Sequence, residues 1–159
     1  MVPPNDTASG LICTGATACS SPCSIGRRRS SAGRSAGRWP VPLRPMGTVA
    51  ASILAADFAN LGAQVATVEP HVGVFHVDIM DGHFVPPIAL GAVIVASLRP
   101  VTERPLHGHL MVEQPEGFFD ELREAGLDIV SFHLEAVPEP APSIAKARDA
   151  CLWLALSGR

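Results

Sequence analysis

No apolar run in this chain approaches the ~18 to 20 residues that a membrane-spanning helix requires, so no transmembrane segment is expected. Four cysteines are present, Cys13, Cys19, Cys23 and Cys151, and no two of them form a Cys-x-x-Cys pair or a zinc-ribbon spacing. A disulfide scaffold is equally unsupported, because only Cys151 lies outside the first 45 residues, which suits a reducing compartment. Charged residues make up 17% of the sequence and hydrophobic residues 47%, a balance that supports a buried core.

Charge is unevenly placed. Arg27, Arg28, Arg29, Arg34, Arg38 and Arg44 are half of all Lys and Arg, and Asp6 is the one acid before Met46. The first 45 residues therefore carry about +5 and the remainder about −8, against a total of −3. Segment 1–45 is rich in Ser, Gly, Ala, Pro and Arg and has no strand or helix period, so it offers little burial to offset the entropy of ordering and reads as disordered. Its arginines lack interleaved aromatics, which argues against nucleic acid as a partner. A start assigned too early, with Met46 as the natural beginning, is the favoured explanation, and a transit peptide the second. The first implies a cytoplasmic protein and the second a plastid one.

From Val49 onward short apolar runs alternate with amphipathic stretches. Strands are expected over 49–54, 74–79, 106–111, 129–134 and 152–156, each the length of a buried parallel strand. Helices fill the gaps: one capped by Asp57 and running through Val68, one over 89–98, one opened by Pro115 and ending near Gly126, and one over 142–150. Strands alternating with helices argue for βαβ units and a parallel sheet, in the order of the first half of a (β/α)8 barrel.

Phe75-His-Val-Asp-Ile-Met-Asp-Gly-His83 sets a histidine and a carboxylate two residues apart on the second strand. Side chains repeat every second residue, so His76, Asp78 and Met80 share one side and Val77 and Ile79 the other. Leu106-His-Gly-His-Leu-Met111 brings a further histidine on a neighbouring strand. Three N/O donors on adjacent parallel strands can hold a divalent ion and leave positions open for substrate. Ordinary core strands with hydrogen-bonded, inert polar ends are the competing explanation.

Ala51-Ser-Ile-Leu-Ala-Ala-Asp-Phe58, His76-Val-Asp-Ile-Met-Asp-Gly-His-Phe-Val-Pro86 and His109-Leu-Met-Val112 follow one another at a spacing that closely resembles the ribulose-phosphate 3-epimerase family, over residues 49 to 136. The resemblance implies a metal-dependent isomerase that interconverts D-ribulose 5-phosphate and D-xylulose 5-phosphate by proton transfer at C3 through an enediolate. It implies His76, Asp78 and His109 as ligands of one divalent metal ion (zinc, iron(II), manganese or cobalt), and Asp78 as the catalytic acid/base. It places Ser52, His109, Met80 and Met111 against a sugar phosphate substrate, the two methionines as a soft apolar floor that keeps water out. His133, in Ser-Phe-His-Leu-Glu135, is expected in a supporting role, Asp81 and His83 in the structure of the following loop, and His71 in solvent. His107 stands where the resemblance leads one to expect an acidic or small residue, and no role is assigned to it.

The departures are as informative. Epimerisation needs a second acid on the opposite face of the substrate, and the family supplies it, with a fourth metal ligand and glycine-rich phosphate loops, from later strands. A complete barrel of this kind takes about 200 residues or more, so 46–159 is read as the N-terminal half of a ribulose-phosphate-binding (β/α)8 barrel, a homo-oligomer if completed. Two alternatives stay open: an inactive truncated fragment that binds a divalent metal or a partner half, and an epimerase of a related hexulose phosphate.

Overall fold

A computed structural model of the chain describes residues 49–150 and 152–157. The expectations for segment 1–45, for the start at Met46 and for Cys13, Cys19, Cys23 and Cys151 lie outside the described residues.

The described chain is α/β, with a parallel sheet and TIM-like βα units. Strands β1 (Ala50–Ser52), β2 (Val74–Asp81), β4 (Leu106–Met111), β5 (Ile129–His133) and β6 (Trp153–Ser157) pair in that spatial order, all parallel. Helices α1 (Leu61–Val68), α2 (Ala92–Leu98), α3 (Phe119–Ala125) and α4 (Pro140–Asp149) fill the crossovers. A two-residue strand, β3 (Ile88–Ala89), pairs antiparallel with the end of β2.

The period-2 pattern dictates how the sheet is covered. On β2, Val77 and Ile79 are buried, while His76, Asp78 and Met80 are half-buried on the other side. On β4 and β5 the residues Leu106, Leu110, Val130 and Phe132 are fully buried and join Leu61 and Val65 of α1, Val95 and Leu98 of α2, and Phe119 and Leu122 of α3 in one core. Phe119 and Phe132 meet with ring centroids 6.0 Å apart. Each such large apolar side chain removed from water contributes roughly 1.5–3 kcal/mol. The helices thus lie against one face, and the polar side chains of the strands are left to the other.

Local chemistry moves several element ends from where the sequence pattern put them. The first strand stops at Ser52, not residue 54, because the Ser52 hydroxyl accepts the Leu54 N–H and turns the chain into a 3-10 segment, Ile53–Ala55. Asp57 does cap, but it caps a 3-10 turn, Phe58–Asn60, and α1 begins only at Leu61. The helix expected over 89–98 starts at Ala92, since Ile88 and Ala89 pair with Asp81 and Met80. That short strand carries no period of its own to read. Pro115 opens a 3-10 turn before α3, and Gly126 ends that helix in the left-handed region at φ 103°. There the N–H groups of Gly126 and Leu127 return to the carbonyls of Arg123 and Leu122, at 3.1 and 2.9 Å. Gly108 on β4 serves close packing instead: a Cβ there would stand 2.8 Å from Leu127 Cδ2.

Candidate metal centre

Strand register assembles the polar side chains. Ser52 lies opposite His76, His76 opposite His107, Asp78 opposite His109, and Met80 opposite Met111. On the next strand His109 lies opposite Ser131. Parallel pairing therefore brings Ser52, His76, Asp78, His109, Met80 and Met111, each named from the sequence, towards the C-terminal ends of three neighbouring strands. In TIM-type barrels that end carries the chemistry.

Asp78 is the hub. Its Oδ1 lies 3.1 Å from His76 Nε2 and 3.3 Å from His109 Nδ1, and its Oδ2 accepts the Ser52 hydroxyl at 2.9 Å. Hydrogen bonds from His109 and His76, with a third from Ser52, outweigh the opposing effect of burial and hold the carboxyl well below the usual carboxylate range. Asp78 is thus ionised at neutral pH. Ligand atoms of His76, Asp78 and His109 lie within 4.8 Å of one another. Two imidazole nitrogens and a carboxylate at that separation form a donor set that zinc, iron(II), manganese or cobalt accepts.

Around this trio stands a layer of further polar groups. His109 Nε2 lies 2.9 Å from His133 Nε2, and His133 Nδ1 is 3.8 Å from Glu135 Oε2. The Phe84 ring sits 5.2 Å from that of His133. On the other flank His76 Nδ1 lies 3.2 Å from His107 Nδ1, and His107 Nε2 lies 2.8 Å from Ser131 Oγ. Both His107 and Ser131 are buried. Burial pushes the His107 imidazole down to about 4, and the neighbouring His76 and His109 push the same way, so the ring is neutral at pH 7. Sequence reading left His107 without a role, although its parity with His109 on one strand is the signal that places both on the site side. Ser131, also unnamed from the sequence, is found only through the pairing of β4 with β5.

Asp81 and His83 shape the loop after β2. Asp81 Oδ1 accepts the N–H groups of His83 and Phe84 at 2.8 and 2.9 Å, and Oδ2 accepts that of Glu113 at 2.9 Å. Desolvation opposes the charge on Asp81, but these three donors outweigh it and lower its pKa. The intervening Gly82 takes φ 75°, the turn that Asp-Gly favours. His71 is exposed. An open cleft of 810 Å³ beside the site has Glu113, Glu116, Glu135 and Glu139 in its lining and, among the described residues, no Lys or Arg, an environment that repels a phosphate.

A parallel βα sheet with histidines and a carboxylate gathered at the C-terminal ends of its strands defines a TIM-type βα protein with a candidate metal centre. The sequence profile of the ribulose-phosphate 3 epimerase family matches residues 48–156, and the chain belongs to that family. It is 50% identical over 91 residues to ribulose-phosphate 3-epimerase of Bacillus subtilis, an alignment covering 57% of this chain and 42% of the relative. It is 51% identical over 88 residues to the chloroplastic ribulose-5-phosphate-3-epimerase of Arabidopsis thaliana, covering 55% and 31%. With the Synechocystis ribulose-phosphate 3-epimerase the identity is 45% over 93 residues, covering 58% and 40%. The chain thus spans about two-fifths or less of the length of these relatives. Among the described residues no helix is long and apolar enough to cross a membrane.

Proposed function

We propose that this chain carries the metal-binding half of a ribulose-phosphate 3-epimerase site, the half that moves the C3 proton on one face in the interconversion of D-ribulose 5-phosphate and D-xylulose 5-phosphate. The observation that carries this reading is the Asp78 carboxylate held between His76 and His109 within a chain of that family. His76, Asp78 and His109 are assigned as ligands of one divalent cation, which when bound supplies the positive charge that stabilises a developing enediolate.

The chain's own residues do the rest. Asp78 is the acid/base: it is ionised at neutral pH and its Oδ2 is oriented by Ser52, so it is prepared to accept a proton from carbon. Ser52 and His109 contact substrate oxygens, while Met80 and Met111, paired across two strands, exclude water from the reacting carbon. The described strands furnish one face of such a site. A carboxylate for the opposite face and a phosphate cradle belong, by family resemblance, to later strands, and the acidic cleft beside β5 is unsuited to the second of these tasks.

The test is isotope exchange. The purified 159-residue chain, with a divalent metal added, is incubated with D-ribulose 5-phosphate in heavy water and followed by NMR at C3. Deuterium at C3 without inverted product is the expected result for Asp78 acting on one face. Inversion as well would show a complete site assembled by association. No exchange in a folded sample would reject the catalytic assignment and favour a chain that binds metal without turnover.

A further inference from the structure

Resting on the metal-centre reading, we propose that His107 is a positioning residue that holds the His76 ring with the site empty and with it filled, by reversing the direction of the hydrogen bond between the two imidazoles. The geometry is a continuous line: Asp78 Oδ1 to His76 Nε2 at 3.1 Å, His76 Nδ1 to His107 Nδ1 at 3.2 Å, and His107 Nε2 to Ser131 Oγ at 2.8 Å. The two rings stand edge to face, at 80° with centroids 4.8 Å apart, so this contact joins nitrogens and is no stack. His107 and Ser131 are 7% and 3% exposed, so solvent does not readily replace either partner.

Donor counting fixes the direction in each state. An ionised carboxylate only accepts, so a singly protonated His76 ring beside Asp78 carries its proton on Nε2 while no cation is bound. His76 Nδ1 is then an acceptor, His107 donates from Nδ1, and the Ser131 hydroxyl donates to His107 Nε2. A cation held through His76 Nε2 would take the lone pair there, and the singly protonated ring would then carry its proton on Nδ1. Every bond in the line then points the other way: His76 Nδ1 donates to His107 Nδ1, and His107 Nε2 donates to Ser131 Oγ. Protons balance. The His107 Nδ1 proton passes to His76, the Nε2 proton of His76 leaves to water, and water returns one to His107 Nε2. Each ring holds one N–H before and after, and the charge is unchanged.

An acidic side chain at 107 could only accept from His76 and would favour the cation-ready tautomer alone, and a small one could do neither. Imidazole and hydroxyl each donate or accept, so the His107–Ser131 pair serves both states.

Long-range proton–nitrogen NMR of the histidine-labelled 159-residue chain, without metal and saturated with zinc at one fixed neutral pH, reads the tautomers directly. Without metal, His107 is expected to carry its proton on Nδ1, and with zinc on Nε2, although it is no ligand. If His76 and His109 respond to zinc while His107 keeps one tautomer, the switch is wrong and the metal centre stands. If neither ligand responds, the metal-centre reading itself fails and the switch with it. His107→Leu should weaken zinc binding by about 10- to 100-fold. His107→Asn, whose amide can turn either its oxygen or its NH2 towards His76, should restore most of that loss. Wild-type affinity in a folded His107→Leu chain would overturn the proposal, and should that variant not fold, His107→Asn and the wild-type tautomers still decide.

Discussion

The two ends of the sheet use the same residue types to opposite effect. At the N-terminal ends of the strands, Arg99 donates to Asp128 at 2.9 Å, to the carbonyls of Arg104 and Gly126 at 3.0 and 3.3 Å, and to that of Thr102. Asp128 in turn accepts the Leu106 N–H at 3.0 Å, tying the start of β5 to the start of β4. Thr102 and Glu103 are fixed by Glu69, whose Oε1 accepts the Thr102 hydroxyl at 2.6 Å and the Glu103 N–H at 3.1 Å. At the C-terminal ends Asp81 fastens its loop through three N–H groups in the same way, but Asp78 is met by two imidazoles and one hydroxyl and, among the described residues, by no backbone group. Charges bound to main chain fasten loops in place. Charges bound to one another's side chains can be re-partnered by a cation or a substrate, which is why the second end, and not the first, is a candidate centre for chemistry.

Breaking each end separately sharpens this contrast. The largest effect is expected from Asp78→Asn, which keeps the shape but removes the charge: C3 exchange should fall by about 100-fold or more in a chain that still folds, with a lower midpoint of thermal unfolding because the bonds from His109, His76 and Ser52 favour the ionised carboxyl. Exchange that survives in the folded variant would make Asp78 a structural residue. Next is Arg99→Met, which keeps the apolar stem packed at Gly126 but leaves the Asp128 carboxylate with only the Leu106 N–H and removes the guanidinium from three carbonyls. We expect a loss of roughly 2–3 kcal/mol in urea unfolding with metal affinity unchanged, so altered affinity would show that the two ends are coupled.

Acid should act on the N-terminal end through Glu69. The Thr102 hydroxyl, and then the Glu103 N–H against the cost of desolvation, lower its pKa below 4.5 in the folded chain. A depressed folded pKa means that the stabilisation is present above the unfolded value and is lost as pH falls through the folded one. Unfolding midpoints measured downward from about pH 5 should therefore fall less steeply in Glu69→Gln than in the wild type, by a small margin because Glu69 stays partly exposed to solvent. Parallel curves would remove Glu69 from the acid response. The smallest effect is expected from Ser52→Ala, which deletes the 2.9 Å bond to Asp78 and the cap on Leu54. About 1 kcal/mol of stability and a modest loss in exchange should follow, and an undiminished exchange rate would show that Asp78 needs no orienting hydroxyl.

The same contrast shows what a sequence can convey. Period-2 alternation on β2 and β4 put His76, Asp78, His109, Met80 and Met111 on one side because every second residue must face that way, and the structure has all five there. Strand order followed from the βα alternation. Ser131, the short β3 pairing and the Arg99 network were not legible, because each depends on which residues face one another across strands or loops, which no local period encodes. His107 falls between these cases: its side of the strand was readable, and its partner Ser131 was not.

The proposed metal centre is tested most directly by titrating cobalt(II) into the 159-residue chain and into His109→Ala, reading the visible absorption of the ion. One equivalent bound per chain, with bands that disappear in the variant, is the expected result. No binding by the wild type, or an unchanged spectrum without the His109 imidazole, would contradict the assignment of this end of the sheet as the centre of function.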